Sequence, residues 1–271
     1  MDLSLVIPVY NARDYLAQRL ATVSSFLEQA RLQYEIIPVD DGSEDGSGKL
    51  LEELRLPHLR PVRLPANQGK FGAIATGMLA ARGRCCVFTD ADVPFELEAI
   101  LYMQHLVGER GFHVVVGDRT LPGSSYAAEL GALRRVLTQS FSLFVRLLVT
   151  GGLYDTQCGL KAFRNDVAQA LFPLLRERGF AGDVELLYIA LKKNLEIRRI
   201  PVRLRFRGES TVRPIRDGIE MARSLGRIRL NQMRGLYDSE RLAEVARQDY
   251  WNGVGAPPCR VTPVGTVNRP D

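Results

Sequence analysis

The sequence predicts an α/β fold in which a mostly parallel sheet is flanked by helices. Short apolar runs alternate with segments of helical periodicity through the first 118 residues, and short polar links join them. This alternation is typical of βαβ units, whose strands lie parallel in one sheet and whose crossovers are right-handed. With 271 residues, the chain is also long enough to bury a full hydrophobic core.

The predicted strands and helices alternate along this first part of the chain. Apolar runs predict strands at Leu3–Val9, Tyr34–Val39, Leu59–Leu64, Arg84–Thr89 and Phe112–Gly117. Apolar residues at helical spacing predict helices at Ala12–Ala30, Asp45–Leu54, Gly69–Ala81 and Phe95–Val107. Pro94 stands just before the last of these helices, where proline favours a helix start.

The later part of the chain combines apolar patterns with arginines. Apolar residues recur at helical spacing in Leu133–Leu148, with Arg134 at the margin of the stripe. Ile200–Arg207 alternates with a period of two, which predicts a strand with arginines on one face. Aligned like charges repel, so we expect an anion near that face, although screening by solvent is an alternative. A basic helix is predicted from Pro214 to about Tyr237, and C-terminal amphipathic helices complete the fold.

Composition narrows the possible partners. The formal net charge is +5, from 36 basic and 31 acidic residues, and arginines are concentrated in the last third of the chain. This distribution favours a phosphate-rich substrate or an anionic membrane surface. Neither a nucleic-acid recognition motif nor an aromatic stacking pattern accompanies the arginines, so nucleic acid is not an expected partner.

Cysteine spacing and hydropathy indicate the compartment. The four cysteines match neither a zinc site nor a disulfide framework. The first predicted strand begins at Leu3, so we expect no signal peptide, and no apolar run reaches the ~20 residues that span a bilayer. We expect a cytoplasmic protein, peripheral at the cytoplasmic membrane face. Leu133–Leu148 and the helix after Pro214 are the candidate membrane segments, with packing in the core as the alternative.

Paired carboxylates follow two of the predicted strands. Asp90 and Asp92 come directly after the fourth strand, and Asp40 and Asp41 end the second. Parallel strands direct such side chains into the crevice at the carboxyl edge of the sheet, where ligands bind. Carboxylate oxygens suit Mg²⁺ or Mn²⁺, which usually bind together with substrate phosphates. The two pairs therefore predict a nucleotide–metal site, the alternative being that each pair caps the following helix.

Seven short motifs occur in an order that resembles the family 2 glycosyltransferases, and within them the dolichyl-phosphate glucosyl- and mannosyltransferases. The motifs are Val6–Asn11, Val39–Gly46, Asn67–Ala73, Thr89–Asp92, Gly117–Arg119, Asp155–Phe163 and Asp183–Leu187. The resemblance covers roughly residues 3 to 235. It implies a GT-A type, Rossmann-like sheet in a domain of residues 1–237. The tail, residues 238–271, is predicted to be largely disordered, because Gly253–Asp271 is rich in proline and glycine. Residues 1–118 would form the nucleotide-sugar-binding half of the domain, and residues 119–237 the acceptor-binding half.

The resemblance implies roles for residues on the donor side. Pro8 and Tyr10 stand where the family contacts the nucleotide base, and Asp40 and Asp41 match the pair that reads the base and ribose. Lys70 begins a helix whose free N–H groups also favour phosphate. Asp90 and Asp92 match the motif that meets the ribose and the divalent metal, and Asp92 is also a catalytic candidate.

On the acceptor side, the resemblance implies phosphate contacts by arginines. Arg119 matches one such arginine, and Arg205 matches another, with Arg207 as a close competitor. Arg134 and Arg213 are further candidates for binding the acceptor phosphate. Asp155 is a catalytic candidate that would orient the acceptor or sugar, with a helix cap as its alternative role.

Three positions depart from the family pattern. The chain has Ala12 where the family has a glutamate, Val93-Pro94 where the mannosyl branch often has a glutamine, and Thr211 where a lysine is usual. The first two departures affect which nucleotide binds and how the metal is coordinated. The third affects phosphate binding, for which Arg213 could supply a positive charge nearby.

The predicted activity is metal-dependent, inverting transfer of glucose from UDP-glucose to a polyprenyl or dolichyl phosphate at the membrane surface, with a membrane subunit as a possible partner. The Asp155–Gly159 segment resembles the glucosyl branch more than the mannosyl branch. The first alternative is a GDP-mannose-dependent mannosyltransferase. The second is a non-catalytic, membrane-recruiting module that binds a nucleotide sugar. A dinucleotide dehydrogenase is disfavoured, because no Gly-x-Gly-x-x-Gly follows the first strand. The three histidines lie outside the motifs and are expected to be structural.

Overall fold

A computed structural model describes residues 1–124, 155–205 and 214–248, with only the backbone described at 214–219. Within these residues, seven strands form one sheet, and a separate hydrophobic cluster covers each of its faces. The predicted α/β class and mostly parallel sheet are confirmed.

The strand order brings several carboxyl ends together. The strands are β1 (Leu3–Val9), β2 (Tyr34–Asp40), β3 (Val62–Arg63), β4 (Cys85–Phe88), β5 (Val114–Asp118), β6 (Lys161–Arg164) and β7 (Ile197–Pro201). Across the sheet they follow the order β3-β2-β1-β4-β6-β5-β7. β6 is antiparallel to β4 and β5, whereas the other pairs are parallel. The carboxyl ends of β1, β2, β4 and β5 therefore lie at one edge of the sheet.

The helices include all four that the first part of the sequence predicts. They are α1 (Arg13–Gln29), α2 (Ser47–Glu53), α3 (Lys70–Ala80), α4 (Glu98–Gln104), α5 (Asn165–Leu171), α6 (Gly182–Lys192), α7 (Pro214–Met233) and α8 (Glu240–Arg247). α4 begins later than predicted, because Phe95 forms a bridge with Leu204 instead of entering the helix. It then continues as one π-helical turn, His105–Glu109.

The core follows from the period of two in the strands. In β1, Leu5 and Ile7 belong to the cluster on the α1 side, and Val6 belongs to the cluster on the α3 side. Gly77 lets α3 approach β1 closely, since a Cβ there would lie 2.3 Å from a Val6 methyl. This close packing sets the position of the α3 N-terminus at the carboxyl edge of the sheet.

The antiparallel strand β6 is not predicted by the sequence pattern. It has four residues and contains both Lys161 and Arg164, so its sequence does not indicate a central strand. Nevertheless, the whole strand is buried, with Lys161 opposite Phe88 on one side and Val116 on the other. This insertion is the reason why the sheet is mixed.

The strand predicted at Ile200–Arg207 is displaced toward the N-terminus. β7 ends at Pro201, which has no N–H to donate to a ladder. Beyond it, Arg205 N donates to Pro94 O at 2.7 Å, and residues 206 and 207 lie outside the described residues. The alternating pattern therefore extends past the end of the strand that it predicts.

Part of the predicted tail is an ordered helix. Residues 238–271 were expected to be largely disordered, yet α8 lies within them and buries Leu242 completely. Ser239 caps α8, because its hydroxyl oxygen accepts from Leu242 N at 3.2 Å. The carbonyl of Val245 accepts from His113, which precedes β5. The predicted tail therefore begins with a helix that packs against the rest of the protein. Residues 249–271 are outside the described part of the chain.

Among the helices in the described residues, none combines the length and the apolar character needed to cross a membrane. The stripe Leu133–Leu148 lies outside these residues, as do Arg134, Arg207 and Thr211. Arg213 is also outside them. Their predicted roles remain predictions.

Candidate active site

A cavity of about 680 Å³ opens beside the carboxyl ends of β1 and β2. Tyr10, residues 42–44 and residues 63–67 line it. Tyr10 follows β1 directly, and its side chain is 51% exposed. Pro8, near the end of β1, pairs in register with Val39 of β2. The two residues that the sequence assigns to the base therefore lie at this edge, and Tyr10 faces the cavity.

Asp40 and Asp41 directly precede residues 42–44, which line this cavity. Both are buried, and Asp41 Oδ1 accepts from Gln68 N at 2.7 Å, which ties β2 to the loop before α3. Asp40 Oδ1 accepts from Ser43 N at 3.0 Å, while its Oδ2 lies 3.5 Å from Arg63 Nε. Neither aspartate caps α2, whose N-cap residue is Gly46. The helix-cap alternative is therefore wrong for this pair.

The departure at position 12 has a local explanation. Ala12 is buried at the start of α1, and its N–H donates to Ser47 Oγ at 3.0 Å. A longer acidic side chain would have to leave this packed position to reach solvent. The alanine therefore fits the way in which α1 and α2 pack here.

Asp90 and Asp92 lie at the end of β4, and neither caps α4, whose N-cap residue is Leu97. Asp90 Oδ1 lies 2.6 Å from Lys70 Nζ at the start of α3. Gly159 comes so close that a Cβ on it would lie 2.0 Å from Asp90 Oδ2. The end of β4, the start of α3 and the segment before β6 therefore meet at the Asp90 side chain.

The electrostatics around Asp90 and Asp92 favour the binding of a cation. Burial raises the pKa of Asp92, and the like charge of Asp90 raises it further. Burial would lower the pKa of Lys70, but the charges of Asp90 and Asp183 outweigh burial and raise it. A cation near Asp92 would relieve the repulsion between the two carboxylates.

The same two carboxylates fit a hard divalent ion. In the described part of the chain, no group of three or more His, Cys, Asp or Glu side chains forms a complete metal site. Asp90 and Asp92 would supply two oxygen ligands, and the substrate phosphates and water would complete the shell, as is usual for Mg²⁺. The donor set therefore suits Mg²⁺ or Mn²⁺ held together with a nucleotide.

Arg119 and Asp155 form one unit. Arg119 follows β5, and its Nε and Nη2 donate to Asp155 Oδ2 and Oδ1 at 2.7 and 2.8 Å. The backbone N–H of Arg119 also donates to Asp155 Oδ2. Burial would raise the pKa of Asp155, but the hydrogen bonds and charge of Arg119 outweigh burial and hold it below its ordinary range. The helix-cap alternative for Asp155 is not what the structure shows.

A second arginine beside this pair is held by the protein's own carboxylate. Arg199 of β7 donates from Nε to Asp118 Oδ2 at 2.6 Å, and Asp118 is almost fully buried. The arginine-rich strand predicts an anion nearby. For Arg199, this anion is the carboxylate of Asp118. Arg205 is placed beside the segment that follows Asp92, through its backbone bond to Pro94.

The buried pair Lys161 and Asp183 was not predicted, although each residue lies in one of the seven motifs. Lys161 Nζ bonds the Asp183 carboxylate and donates to Cys158 O at 2.6 Å. Both side chains are at most 2% exposed. The pair links the segment before β6 to the first turn of α6, and its two residues influence the pKa of Asp155 and of Lys70, respectively. Its signal in the sequence is a lysine inside an otherwise apolar run.

Glu185 is a further residue to which the sequence analysis assigned no role. Its buried carboxylate accepts from the N–H groups of Arg176 and Glu177 at 2.8 and 2.7 Å. This holds the loop whose next residue, Arg178, offers its carbonyl to Phe71 N in the first turn of α3. Glu185 therefore helps to position Lys70. The signal in the sequence is its place in the Asp183–Leu187 motif.

Comparison with known proteins identifies the family. A family model described as Glycosyl transferase family 2 matches residues 4–172, which is more than half of the chain. The chain belongs to glycosyl transferase family 2. It is therefore a glycosyltransferase, and the family predicted from the ordered motifs is confirmed.

The glycosyltransferase is similar to curated proteins named dolichyl-phosphate beta-glucosyltransferase. It is 34% identical to the protein from Dictyostelium discoideum over 248 residues, which covers 87% of this chain and 76% of the relative. It is 31% identical to the protein from Drosophila melanogaster over 263 residues, with 92% and 80% covered.

Solved structures support the GT-A type fold. Mannosyl-3-phosphoglycerate synthase from Rubrobacter xylanophilus superposes with a TM-score of 0.63 at 17% identity, covering 86% of the glycosyltransferase and 74% of that chain. Glucosyl-3-phosphoglycerate synthase from Mycobacterium tuberculosis, in a complex with Mn²⁺, UDP and its product, gives 0.60 at 20% identity, covering 88% and 81%.

Proposed function

We propose that this glycosyltransferase transfers glucose from UDP-glucose to dolichyl phosphate or a related polyprenyl phosphate at a membrane surface. The observation that carries the proposal is the contact between Asp90 and Lys70, within the charge field of Asp92, at the carboxyl edge of the sheet that also borders the 680 Å³ cavity. The names of the curated relatives supply the sugar and the lipid acceptor. The solved neighbour with UDP and Mn²⁺ supports the nucleotide and the metal.

The chemistry needs charge stabilisation more than a strong base. The acceptor phosphate is already ionised near neutral pH, so one of its oxygens can attack the anomeric carbon directly. The bond between that carbon and the UDP oxygen breaks, and a single displacement inverts the configuration. UDP leaves with the electron pair, and the leaving diphosphate requires positive charge nearby.

The residues of the site divide this work. Asp90 and Asp92 would hold Mg²⁺ or Mn²⁺, which supplies charge neutralisation for the diphosphate. Lys70 adds a cation at the start of α3, where free backbone N–H groups also favour phosphate. Arg119, oriented by its two hydrogen bonds to Asp155, would place positive charge near the acceptor phosphate.

The acceptor also explains the basic and apolar segments of the chain. A lipid phosphate presents its head at the membrane surface, so the enzyme has to work there. The stripe Leu133–Leu148 is one proposed contact. The end of α7 is the other, because Leu230 and Met233 are exposed there, whereas Met221, Leu225 and Ile228 of the same helix are buried in the core.

The test is a matrix of donors and acceptors. Labelled UDP-glucose, UDP-galactose and GDP-mannose are each incubated with the purified protein and either dolichyl phosphate or soluble 3-phosphoglycerate. We expect label in the organic phase only with UDP-glucose and dolichyl phosphate. A preference for GDP-mannose would overturn the proposed donor, and transfer to 3-phosphoglycerate alone would overturn the proposed acceptor.

A further inference from the structure

Arg227 of α7 forms a bidentate ion pair with Glu177, which lies in the loop between α5 and α6. The Nε and Nη2 atoms of Arg227 donate to Glu177 Oε1 and Oε2, both at 2.8 Å. Nη2 also donates to Ser224 Oγ, one turn earlier in α7, which fixes the guanidinium further. The Glu177 side chain is only 9% exposed. Its charge is therefore largely shielded from water and is compensated by Arg227.

A second carboxylate holds the same loop. Glu185 of α6 is buried, and its Oε2 accepts from the backbone N–H groups of Arg176 and Glu177. Its Oε1 accepts from the Tyr237 hydroxyl at 2.5 Å. Burial raises the pKa of Glu185, and the like charge of Glu177 raises it further. Because the two carboxylates repel each other, the loop keeps its position only while Arg227 balances the charge of Glu177.

The other end of this loop contacts the first turn of α3. The carbonyl oxygen of Arg178 accepts from Phe71 N at 2.8 Å. The contact is close, since a Cβ on Gly69 would lie 2.6 Å from that carbonyl oxygen. Lys70 stands between Gly69 and Phe71, and its Nζ lies 2.6 Å from Asp90 Oδ1. A shift of the loop would therefore move the lysine that faces the proposed diphosphate and metal site.

We propose that Arg227 is a positioning residue for the diphosphate of the donor nucleotide. This rests on the proposed function and deepens it, because it names a residue of α7 that sets how tightly the diphosphate binds. Arg227 balances the charge of Glu177, and the loop so held keeps Arg178 O on the first turn of α3. That turn places Lys70 beside Asp90.

The test compares UDP, titrated by calorimetry, with uridine, titrated by ligand-observed NMR. The two ligands share the base and the ribose and differ in the diphosphate. We expect Arg227→Gln to weaken UDP binding on the order of tenfold and to leave uridine binding unchanged. Arg227→Lys should recover part of the loss, since lysine keeps the charge but loses the planar fork. If folded Arg227→Gln binds UDP as the parent does, or weakens UDP and uridine equally, the proposal is wrong.

Two matched controls separate positioning from a general effect of charge or stability. Arg223→Gln removes the same charge from an exposed position of α7, one turn before Arg227. Lys193→Gln breaks a different ion pair at the end of α6, in which Lys193 Nζ lies 2.7 Å from Asp238 Oδ1. Both variants should bind UDP as the parent does. If Lys193→Gln weakens UDP binding as much as Arg227→Gln does, the cause is a general loosening of the helices, which contradicts the proposal.

A double variant tests the charge argument directly. Arg227→Gln leaves the Glu177 carboxylate uncompensated beside Glu185, and the additional change Glu177→Gln removes that charge. The double variant should therefore bind UDP about threefold more tightly, or better, than Arg227→Gln alone. A double variant that binds UDP as weakly as Arg227→Gln would overturn this inference and leave the proposed function standing. A parent protein that binds no UDP would count against both.

Discussion

Arg119 donates two parallel hydrogen bonds to the carboxylate of Asp155, 36 positions away in the sequence. The sequence assigns these residues separate roles, with Arg119 on the acceptor phosphate and Asp155 as an orienting carboxylate. Their bidentate pairing makes Asp155 the residue that fixes the plane of the Arg119 guanidinium. A phosphate that approaches Arg119 would then meet the guanidinium in one defined orientation.

We therefore expect Asp155→Asn to impair the use of the acceptor more than that of the donor. The KM for the lipid phosphate should rise, while the KM for UDP-glucose changes little, because only Arg119 loses its orientation. The variant should also lose about 1–3 kcal/mol of unfolding free energy, measured in urea, from the broken charged hydrogen bonds.

A double-mutant cycle with Arg119→Gln checks the pairing. The coupling free energy should lie at about 0.5–3 kcal/mol. Asp166→Asn is the control, since Asp166 bonds Arg164 in a pair at the start of α5. Additive effects of the Asp155 and Arg119 variants on stability, together with an unchanged acceptor KM, would contradict the account.

Gly159→Ala should abolish most of the activity. Its Cβ would lie 2.0 Å from Asp90 Oδ2, so the carboxylate has to move and its contact with Lys70 is lost. We expect at least a ~10-fold loss of turnover, as for a displaced charge-stabilising group. Gly226→Ala is the matched control, because nothing lies within 4 Å of a Cβ there. Alanine in α7 should leave turnover unchanged. Equal turnover in both variants would show that Asp90 has no fixed role.

His113 should make the stability of the fold depend on pH. Its Nδ1 accepts from Glu196 N and its Nε2 donates to Val245 O, which fixes a neutral ring. Burial lowers its pKa, and the charge of Arg164 lowers it further. The unfolded chain therefore binds a proton more readily, and the unfolding free energy should decrease as the pH falls below about 6.5.

Chemical denaturation at about pH 7.5 and about pH 5.5 measures this effect. His113→Gln cannot titrate and should show a smaller decrease than the parent. His105→Gln is the control, because the His105 side chain is 41% exposed. If the parent and His113→Gln lose the same stability between the two pH values, the buried ring is not the cause.

How much of this structure the sequence predicts depends on how far apart in the chain the interacting residues lie. Asp90 and Asp92 could be placed at the sheet edge, because a buried strand directly precedes them. Lys161 could not be placed, since its burial depends on Asp183, which only the antiparallel insertion of β6 brings near. The predictable features are those that local periodicity determines. The missed ones are charges whose partners lie far along the chain.

Membrane association should be peripheral. Alkaline carbonate or high salt should release the protein from membranes, and anionic vesicles should bind it better than neutral ones. Replacing Phe141 and Phe144 with serine should reduce vesicle binding, with circular dichroism to show that the protein is still folded. Leu79→Ser is the control, as Leu79 is an exposed apolar residue near the end of α3. Carbonate-resistant attachment would contradict peripheral binding.

The central claim is that Asp90 and Asp92 support glucosyl transfer to a lipid phosphate. The most direct measurement follows labelled glucose from UDP-glucose into dolichyl phosphate with Mn²⁺, for the parent, Asp92→Asn and the exposed control Asp14→Asn. We predict a loss of at least ~100-fold for Asp92→Asn, no loss for Asp14→Asn, and no product from the parent in EDTA. Near-parental transfer by folded Asp92→Asn, or full transfer in EDTA, would contradict the account.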